Sequence, residues 1–321
     1  MTSEPLPRTT EPPKPKTNHP NAALRRREAK IGLLLLSPWI LGFIILKLVP
    51  ILWALGYSFT NFNLLTPEAT TFIGLQNYFK FLIDINAWTS LFGSLGYFVT
   101  TVPLELLVAL GLAVLLTSDR VRAKGFWRPV IFMPSIIPAA AISFIWLGFI
   151  SPTSGWLNRL IMHPLGLPEI TQRAAGNVPF LATFMALWSI GPGFLIIYGA
   201  MQGVSKEVYE AALVDGAGPL MRFLRITLPI ISPAIFFSLV INLTSAFGGS
   251  MLLDRGFGYS QSLSPMENYI KVVMFTNFNM GYASALAWVM FAATMTITIL
   301  LFRSAQRWVY FPEEGGYETI L

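Results

Sequence analysis

The 321-residue chain contains no cysteine. That excludes disulfides, thiolate nucleophiles and cysteine-based zinc sites together. Histidine is nearly as scarce: His19 falls in a proline-rich segment and His163 in a loop between apolar runs, a poor basis for a metal centre or a histidine-based catalytic set. Charge is short as well, at 12% of residues against about a quarter in soluble domains. No Gly-Lys pair occurs anywhere, so the GxxxxGK[ST] loop that cradles nucleotide phosphates is missing.

Apolar residues, by contrast, make up 54% of the chain and the mean hydropathy is +0.60, the composition of a membrane protein. Residues 1–30 stand apart. Pro5, Pro7, Pro12, Pro13, Pro15 and Pro20 crowd together with basic residues, a segment that cannot bury a core and is expected to be disordered. It ends in Arg25, Arg26, Arg27 and Lys30 before an apolar run to Tyr57. That run is too long for the apolar region of a signal peptide and shows no clear small-residue cleavage site, so it is expected to stay as an anchor.

Six stretches reach the roughly 20 apolar residues that cross a bilayer as a helix: 31–57, 91–117, 126–150, 178–201, 229–253 and 282–303. Pro38, Pro50, Pro103, Pro134, Pro138 and Pro192 fall inside them or at their ends. Kinked helices around a pathway are therefore plausible. The Lys and Arg distribution sets the orientation. With the N-terminus inside, 16 of the 22 basic residues lie in cytoplasmic segments, 5 in outer loops, and Lys47 in the first span. Both termini are then cytoplasmic. Trp53, Tyr57 and Trp146 fall near outer ends and Trp127, Trp308 and Tyr310 near inner ends, where amphipathic rings settle. The expected organisation is a tail over 1–30, a six-span domain over 31–308 with a polar loop over 202–228, and a short tail over 309–321. The outer loops are too short for a catalytic domain.

The polar loop QGVSKEVYEAALVDGAGPLMRFLRITLP reads as helix, turn, helix. Ser205 is a suitable N-cap, Lys206 to Val214 are mostly helix formers, and Tyr209, Ala212, Leu213 and Gly216 share a helical face. Asp215-Gly216 and Gly218-Pro219 break the helix. A second short helix over Leu220–Ile226 leads to Pro229 in the first turn of span five. Two readings fit: an amphipathic linker lying on the membrane, or a partner-docking helix. The small Ala211-Ala212 pair and the acids Glu207, Glu210 and Asp215, which an anionic membrane surface would repel, favour the second.

This stretch resembles the EAA motif of binding-protein-dependent ABC importer permeases. Glu210, Ala211, Ala212, Asp215, Gly216, Ala217, Phe223, Ile226, Thr227, Leu228 and Pro229 match its extended form, EAA-x-x-DGA followed by F-x-x-ITLP. The FIGLQNY run (Phe72, Gly74, Leu75, Asn77, Tyr78) is similar to the outer-loop signature of the sugar-type branch. Phe126, Arg128 and Pro134 resemble the start of its third span, and Gly281-Tyr282-Ala283 with Ala285 the start of its sixth. The chain is most similar to the first of the paired subunits of the maltose and glycerol-3-phosphate kind. It departs from the family after span five, where Asp254-Arg255-Gly256-Phe257-Gly258-Tyr259 replaces a T-x-GGP run.

The resemblance implies an all-α membrane protein with the six-span type I importer fold and a cytoplasmic coupling helix. It further implies a heterodimer with a second permease, two ATP-binding cassette subunits that hold ATP and Mg, and an extracellular solute-binding protein delivering a carbohydrate. The missing phosphate loop agrees with an ATPase on other chains, so the chain is expected to be no enzyme and to hold no cofactor. Glu210 through Ala212 and Asp215 through Ala217 are the implied ATPase-coupling residues, in a bacterial-type cell membrane.

For the pathway, Ser238, Asn242, Ser245 and Gly249 form one stripe on span five. It reads either as packing through small residues or as a sugar-facing surface with Asn242 offering hydrogen bonds to hydroxyls. Family resemblance favours the latter. Trp188, Ser189 and Pro192 on span four are further candidates, although a membrane tryptophan is more often packing. Lys47 is placed to snorkel. Glu105, in the middle of span two, either pairs within the protein or faces a pathway. As a proton carrier it would support the alternative of a six-span secondary transporter or facilitator, for which no internal repeat is evident.

Overall fold

The computed structural model describes residues 22–118, 120–151, 155–169, 177–247 and 266–310. The segments 1–21 and 311–321, the loop Asp254–Tyr259 and the stripe residue Gly249 lie outside them. Two units follow one another along the chain, Met1–Trp53 and Ala54–Leu321.

In the first unit, α1 (Ala22–Phe43) passes into a π-helical turn, Ile44–Leu48. The helix begins two residues after the last proline of the tail, earlier than the apolar run suggests, because AALRRREAK is a series of strong helix formers. Pro38 inside it cannot donate to the carbonyl of Leu34. The hydroxyl of Ser37 donates there instead, at 2.7 Å. Leu34, Leu35, Leu46 and Trp39 are exposed, as a lipid-facing helix requires. α2 (Val49–Ser58) carries the helical run onward, so that Arg27–Ser58 is long and apolar enough to cross a membrane.

Three more helical runs have that length and composition among the described residues: Ile85–Thr117, Pro219–Thr244 and Met280–Trp308. The first follows a short amphipathic helix, α3 (Gln76–Ile83), and is α4 (Ile85–Thr117). The other two predicted spans are helical but interrupted. In the third, α5 (Lys124–Phe132) gives way to a 3₁₀ turn at Met133–Ile136 before α6 (Ala139–Ile150). Pro138 forces Ile137 into an extended conformation (φ −68°, ψ 129°) and so ends the helical path. In the fourth, α7 (Asn177–Trp188) stops at Ser189-Ile190, and the Gly191-Pro192 pair starts α8 (Gly191–Gln202). The polar loop follows as α9 (Lys206–Val214) and α10 (Pro219–Arg222). The second loop helix is thus shorter than the spacing suggests. A π-helical turn at Phe223–Thr227 joins it to α11 (Leu228–Phe247). Pro233 within α11 repeats the device seen at Pro38: the carbonyl it frees, on Pro229, accepts from the Ser232 hydroxyl at 2.7 Å. α12 (Met266–Lys271) and α13 (Met280–Trp308) complete the chain.

α4 is the centre of the second unit, packed against both α8 and α11, and α11 in turn packs on α13. The largest apolar cluster joins Ala109, Ala113 and Leu116 of α4 to Phe194, Ile197 and Tyr198 of α8 and Ile231 of α11. The small alanines let the helices approach, and the large side chains opposite fill the space.

At the far end of α4 the packing is built on the segments carrying the family-like signatures. The Asn77 side chain donates to the carbonyls of Ser58 and Thr60 at 2.8 and 2.9 Å, and Tyr78 shares a hydrogen bond with Ser58 at 2.8 Å. The FIGLQNY run therefore ties α3 to the end of α2. Gly281 donates its N–H to Phe62 at 2.9 Å. A Cβ there would lie 2.2 Å from the Thr60 carbonyl oxygen, so only glycine fits. Gly281→Ala is expected to cost about 1–3 kcal/mol by overpacking and to lower the melting temperature of the detergent-solubilised protein by several degrees. Gly111→Ala, where nothing lies within 4 Å of the added carbon, is expected to leave it unchanged or raise it.

Candidate functional site

The α9–α10 insert is a small built structure. Ser205 caps α9 by accepting from the Val208 N–H. The helix ends where Gly216 adopts φ +76°, a left-handed conformation costly for any residue with a Cβ. Gly216 N–H then bonds the Leu213 carbonyl at 3.0 Å and Ala217 N–H the Ala212 carbonyl at 2.9 Å. This pair of bonds is a Schellman turn, and it explains the spacing of Ala212, Gly216 and Ala217. Pro219 then opens α10 in the position where its missing N–H costs nothing.

Side-chain placement divides the insert into an anchored and a free face. Ala212 is buried, and Tyr209 shares a hydrogen bond with the buried Thr227 at the head of α11. Glu210, Ala211, Asp215 and Gly216 are exposed. Leu213, Leu220 and Met221 are exposed with them, and Val214 is 88% exposed. Leu213, which spacing puts on the same helical face as Tyr209 and Ala212, is exposed rather than packed with them. A fixed helix thus presents small, acidic and apolar side chains side by side.

The interior of the bundle holds most of the other candidates. Ser238 is buried in α11 and Asn242 lies half-buried one turn on; at Ser245 the backbone continues the same helix. Trp188 stands edge-on to Trp146, ring centroids 5.6 Å apart, in a cluster with Met185 and Tyr97, which is a packing role. Ser189 lies at the α7–α8 break, and Pro192, itself exposed, sits in the first turn of α8 between the buried Gly191 and Phe194. The hydroxyls of Ser189 and Ser238 are enclosed without a hydrogen-bond partner among the described residues.

A second polar stripe, on α4, joins Glu105 to four residues that were not among the sequence-based candidates. Ser90, Ser94, Tyr97, Thr101 and Glu105 recur at intervals of 4, 3, 4 and 4, one helical face. Ser94 accepts from the Met266 N–H at 2.9 Å, and Thr101 shares a 2.9 Å hydrogen bond with Thr183 of α7. The helical spacing was legible; the partners were not. Glu105 makes no ion pair or hydrogen bond among the described residues.

Asp84, also absent from the sequence-based candidates, joins three segments. One carboxylate oxygen caps α4, accepting from the N–H groups of Asn86 and Ala87 at 3.0 and 3.2 Å. The other accepts from the hydroxyls of Tyr269 on α12 and Tyr282 on α13, at 2.7 and 2.6 Å. Lys80 lies 4.2 Å from the centre of the Tyr282 ring. Burial pushes the Asp84 carboxyl up, but the two tyrosine hydroxyls and the two N–H groups outweigh it and hold it below its usual 3.8. Against that carboxylate, burial first and the bonded Asp84 second make the Tyr269 phenol harder to ionise.

Comparison with known proteins places this architecture. Residues 106–310 match the family described as binding-protein-dependent transport system inner membrane component. The probable ABC transporter permease protein YesP of Bacillus subtilis is 31% identical, the alignment covering 89% of this chain and 94% of that one. The trehalose/maltose transport system permease protein MalF of Thermococcus litoralis is 26% identical over 88% of this chain and 96% of its own. Among solved structures, a bacterial alginate ABC transporter in complex with alginate pentasaccharide-bound periplasmic protein has a chain with the same fold. Its TM-score is 0.73 at 18% identity, over 89% of this chain and 96% of that one.

The Asp84 node has a pH signature. A carboxylate held below its ordinary value contributes stability that is complete above 3.8 and is lost as the pH falls through the lower folded value. Tyr269→Phe with Tyr282→Phe is expected to destabilise the protein at neutral pH by about 1–3 kcal/mol. Thermal melts of the two proteins should converge as the pH is taken well below 3.8.

Proposed function

Because the chain belongs to the family of binding-protein-dependent transport system inner membrane components, we propose that it is one of two paired permeases of an ATP-driven importer. In this reading it crosses the membrane six times, the interrupted pairs α5–α6 and α7–α8 each making one crossing. Both termini are cytoplasmic, in line with the Lys and Arg bias. The solute is a carbohydrate, handed over by an extracellular binding protein, as the names of the sugar permease relatives support. ATP and Mg are bound and turned over on two separate cassette subunits, and this chain contributes no catalytic group.

The observation that carries the proposal is the α9–α10 insert. A short helix capped at both ends leaves Val214, Leu213 and Leu220 exposed beside Glu210 and Asp215. A mixed acidic and apolar surface on a rigid helix fits a groove in a protein partner. Its hydrogen bond from Tyr209 to Thr227 ties that surface to the head of α11. Movement of the ATPase groove would therefore be delivered to the helix that carries Ser238 and Asn242. Glu210, Ala211, Ala212, Asp215, Gly216 and Ala217 are the coupling residues in this proposal. Ser238, Asn242, Ser245 and Gly249 would face the solute, with Ser189 at the break in span four and Pro192 setting its kink. Trp188 borders the passage through its packing. The enclosed hydroxyls of Ser189 and Ser238 support that placement, since a passing sugar can satisfy them.

Two substitutions test the coupling. Gly216→Pro forbids the positive φ on which the turn depends, and Glu210→Lys reverses an exposed charge without touching the core. Each is expected to leave the protein inserted at normal levels and to lower ATP-driven uptake by about tenfold or more, the effect of losing one good contact. Full uptake by either variant, measured with radiolabelled sugar in cells holding equal amounts of protein, would sink the docking role.

A further inference from the structure

Glu105 is the acid for which neither the packing nor the coupling mechanism has a use. It is half-buried in the middle of α4, with no ion pair or hydrogen bond among the described residues. Charged groups at that depth are costly unless they face a cavity or a partner. Its place along the helix is specific. On the same face, two turns earlier, Tyr97 packs against both the Trp146–Trp188 cluster and the Leu243–Phe247 cluster, so this face looks into the bundle. One turn earlier, Thr101 bonds across to Thr183. One turn later, Ala109 enters the apolar cluster closed by Phe194, Ile197 and Ile231. On this face of α4, Glu105 is therefore the last polar group before the apolar cluster.

From this juxtaposition we infer that Glu105 is a specificity-determining residue, a carboxylate at the inner limit of the polar face of α4 whose ionised form discriminates against anionic solutes. The inference rests on the proposed passage through this interior. Where it is ionised, a carboxylate partly withdrawn from water repels a second carboxylate more strongly than it would in bulk solvent. Saccharides bearing uronate groups would meet that repulsion beside Glu105. Neutral saccharides would meet a hydrogen-bond acceptor, and those bearing an ammonium group an attraction. The charge thus sets a selection step inside the membrane, independent of the choice made by the binding protein.

The chain's lack of cysteine makes the test direct. Thr101→Cys places one thiol a single turn from Glu105 with little change of volume. The protein, in the complex with its transport partners and turning over ATP, is treated with a cationic ammonium thiosulfonate, an anionic sulfonate thiosulfonate and a neutral methyl thiosulfonate. Modification of this chain is followed by mass. With Glu105 present, the ammonium-to-sulfonate rate ratio is expected to exceed the ratio for a free thiol by about tenfold, as a nearby fixed charge supplies. Glu105→Gln in the same background should return it to the free-thiol ratio. Equal ratios with Glu105 and with Glu105→Gln, at measurable rates, overturn the charge selection and leave the passage standing. A thiol that none of the three reagents reaches, the neutral one included, removes the passage from this face and the inference with it.

Discussion

A bilayer core offers no water to a backbone N–H or carbonyl, and every such group has to find its partner inside the protein. The remaining features of this chain are accommodations of that demand. Four runs meet it as unbroken helices. At Pro38 and Pro233 the freed carbonyl is met locally: Ser37 donates to Leu34 and Ser232 to Pro229, in each case from the residue just before the proline. Where the helix breaks altogether, at Met133–Ile136 and at Ser189-Ile190, the breaks lie in segments packed against other helices. Irregular backbone is tolerable there, and only there.

The same demand arranges the polar side chains. α4 carries its serines, Tyr97, Thr101 and Glu105 on one face and turns that face toward α7, α11 and α12. Further along, alanines on the helix meet Phe194 and Ile197, and the polar zone closes. A polar face that gives way to an apolar cluster at one end is compatible with the proposed route for a hydrophilic solute. The α9–α10 insert lies in sequence between α8 and α11, two of the helices that form this closure. A push on the insert would therefore act on the closure itself.

At the other end of α4, Asp84 gathers a helix N-terminus and two tyrosines onto one carboxylate. Helix ends leave N–H groups unsatisfied, and a single carboxylate that satisfies two of them while holding two neighbouring segments fixes three elements at once. Gly281 and the FIGLQNY run belong to the same assembly. The segments that resemble sugar-permease signatures thus act as fastenings in the fold.

Much of this was written in the amino-acid order. Hydropathy alone marked where the apolar runs lie, because crossing a bilayer takes about 20 apolar residues in a row. The spacing of Ser205, Ala212, Gly216 and Pro219 specified a capped helix, a left-handed turn and a new helix, because those outcomes depend on neighbours within one or two turns. Family membership followed from the same residues. Two things were decided only in three dimensions. Apolar runs do not reveal where a helix breaks, so the segments read as third and fourth spans looked continuous: breaking depends on whether neighbours can satisfy the freed backbone. And no local pattern announces that Asp84 will meet Tyr269 and Tyr282, 185 and 198 residues away, or that Glu105 stands at the edge of an apolar closure. Sequence determined which residues would enter the membrane. Tertiary packing determined which of their polar groups would find partners and which would not.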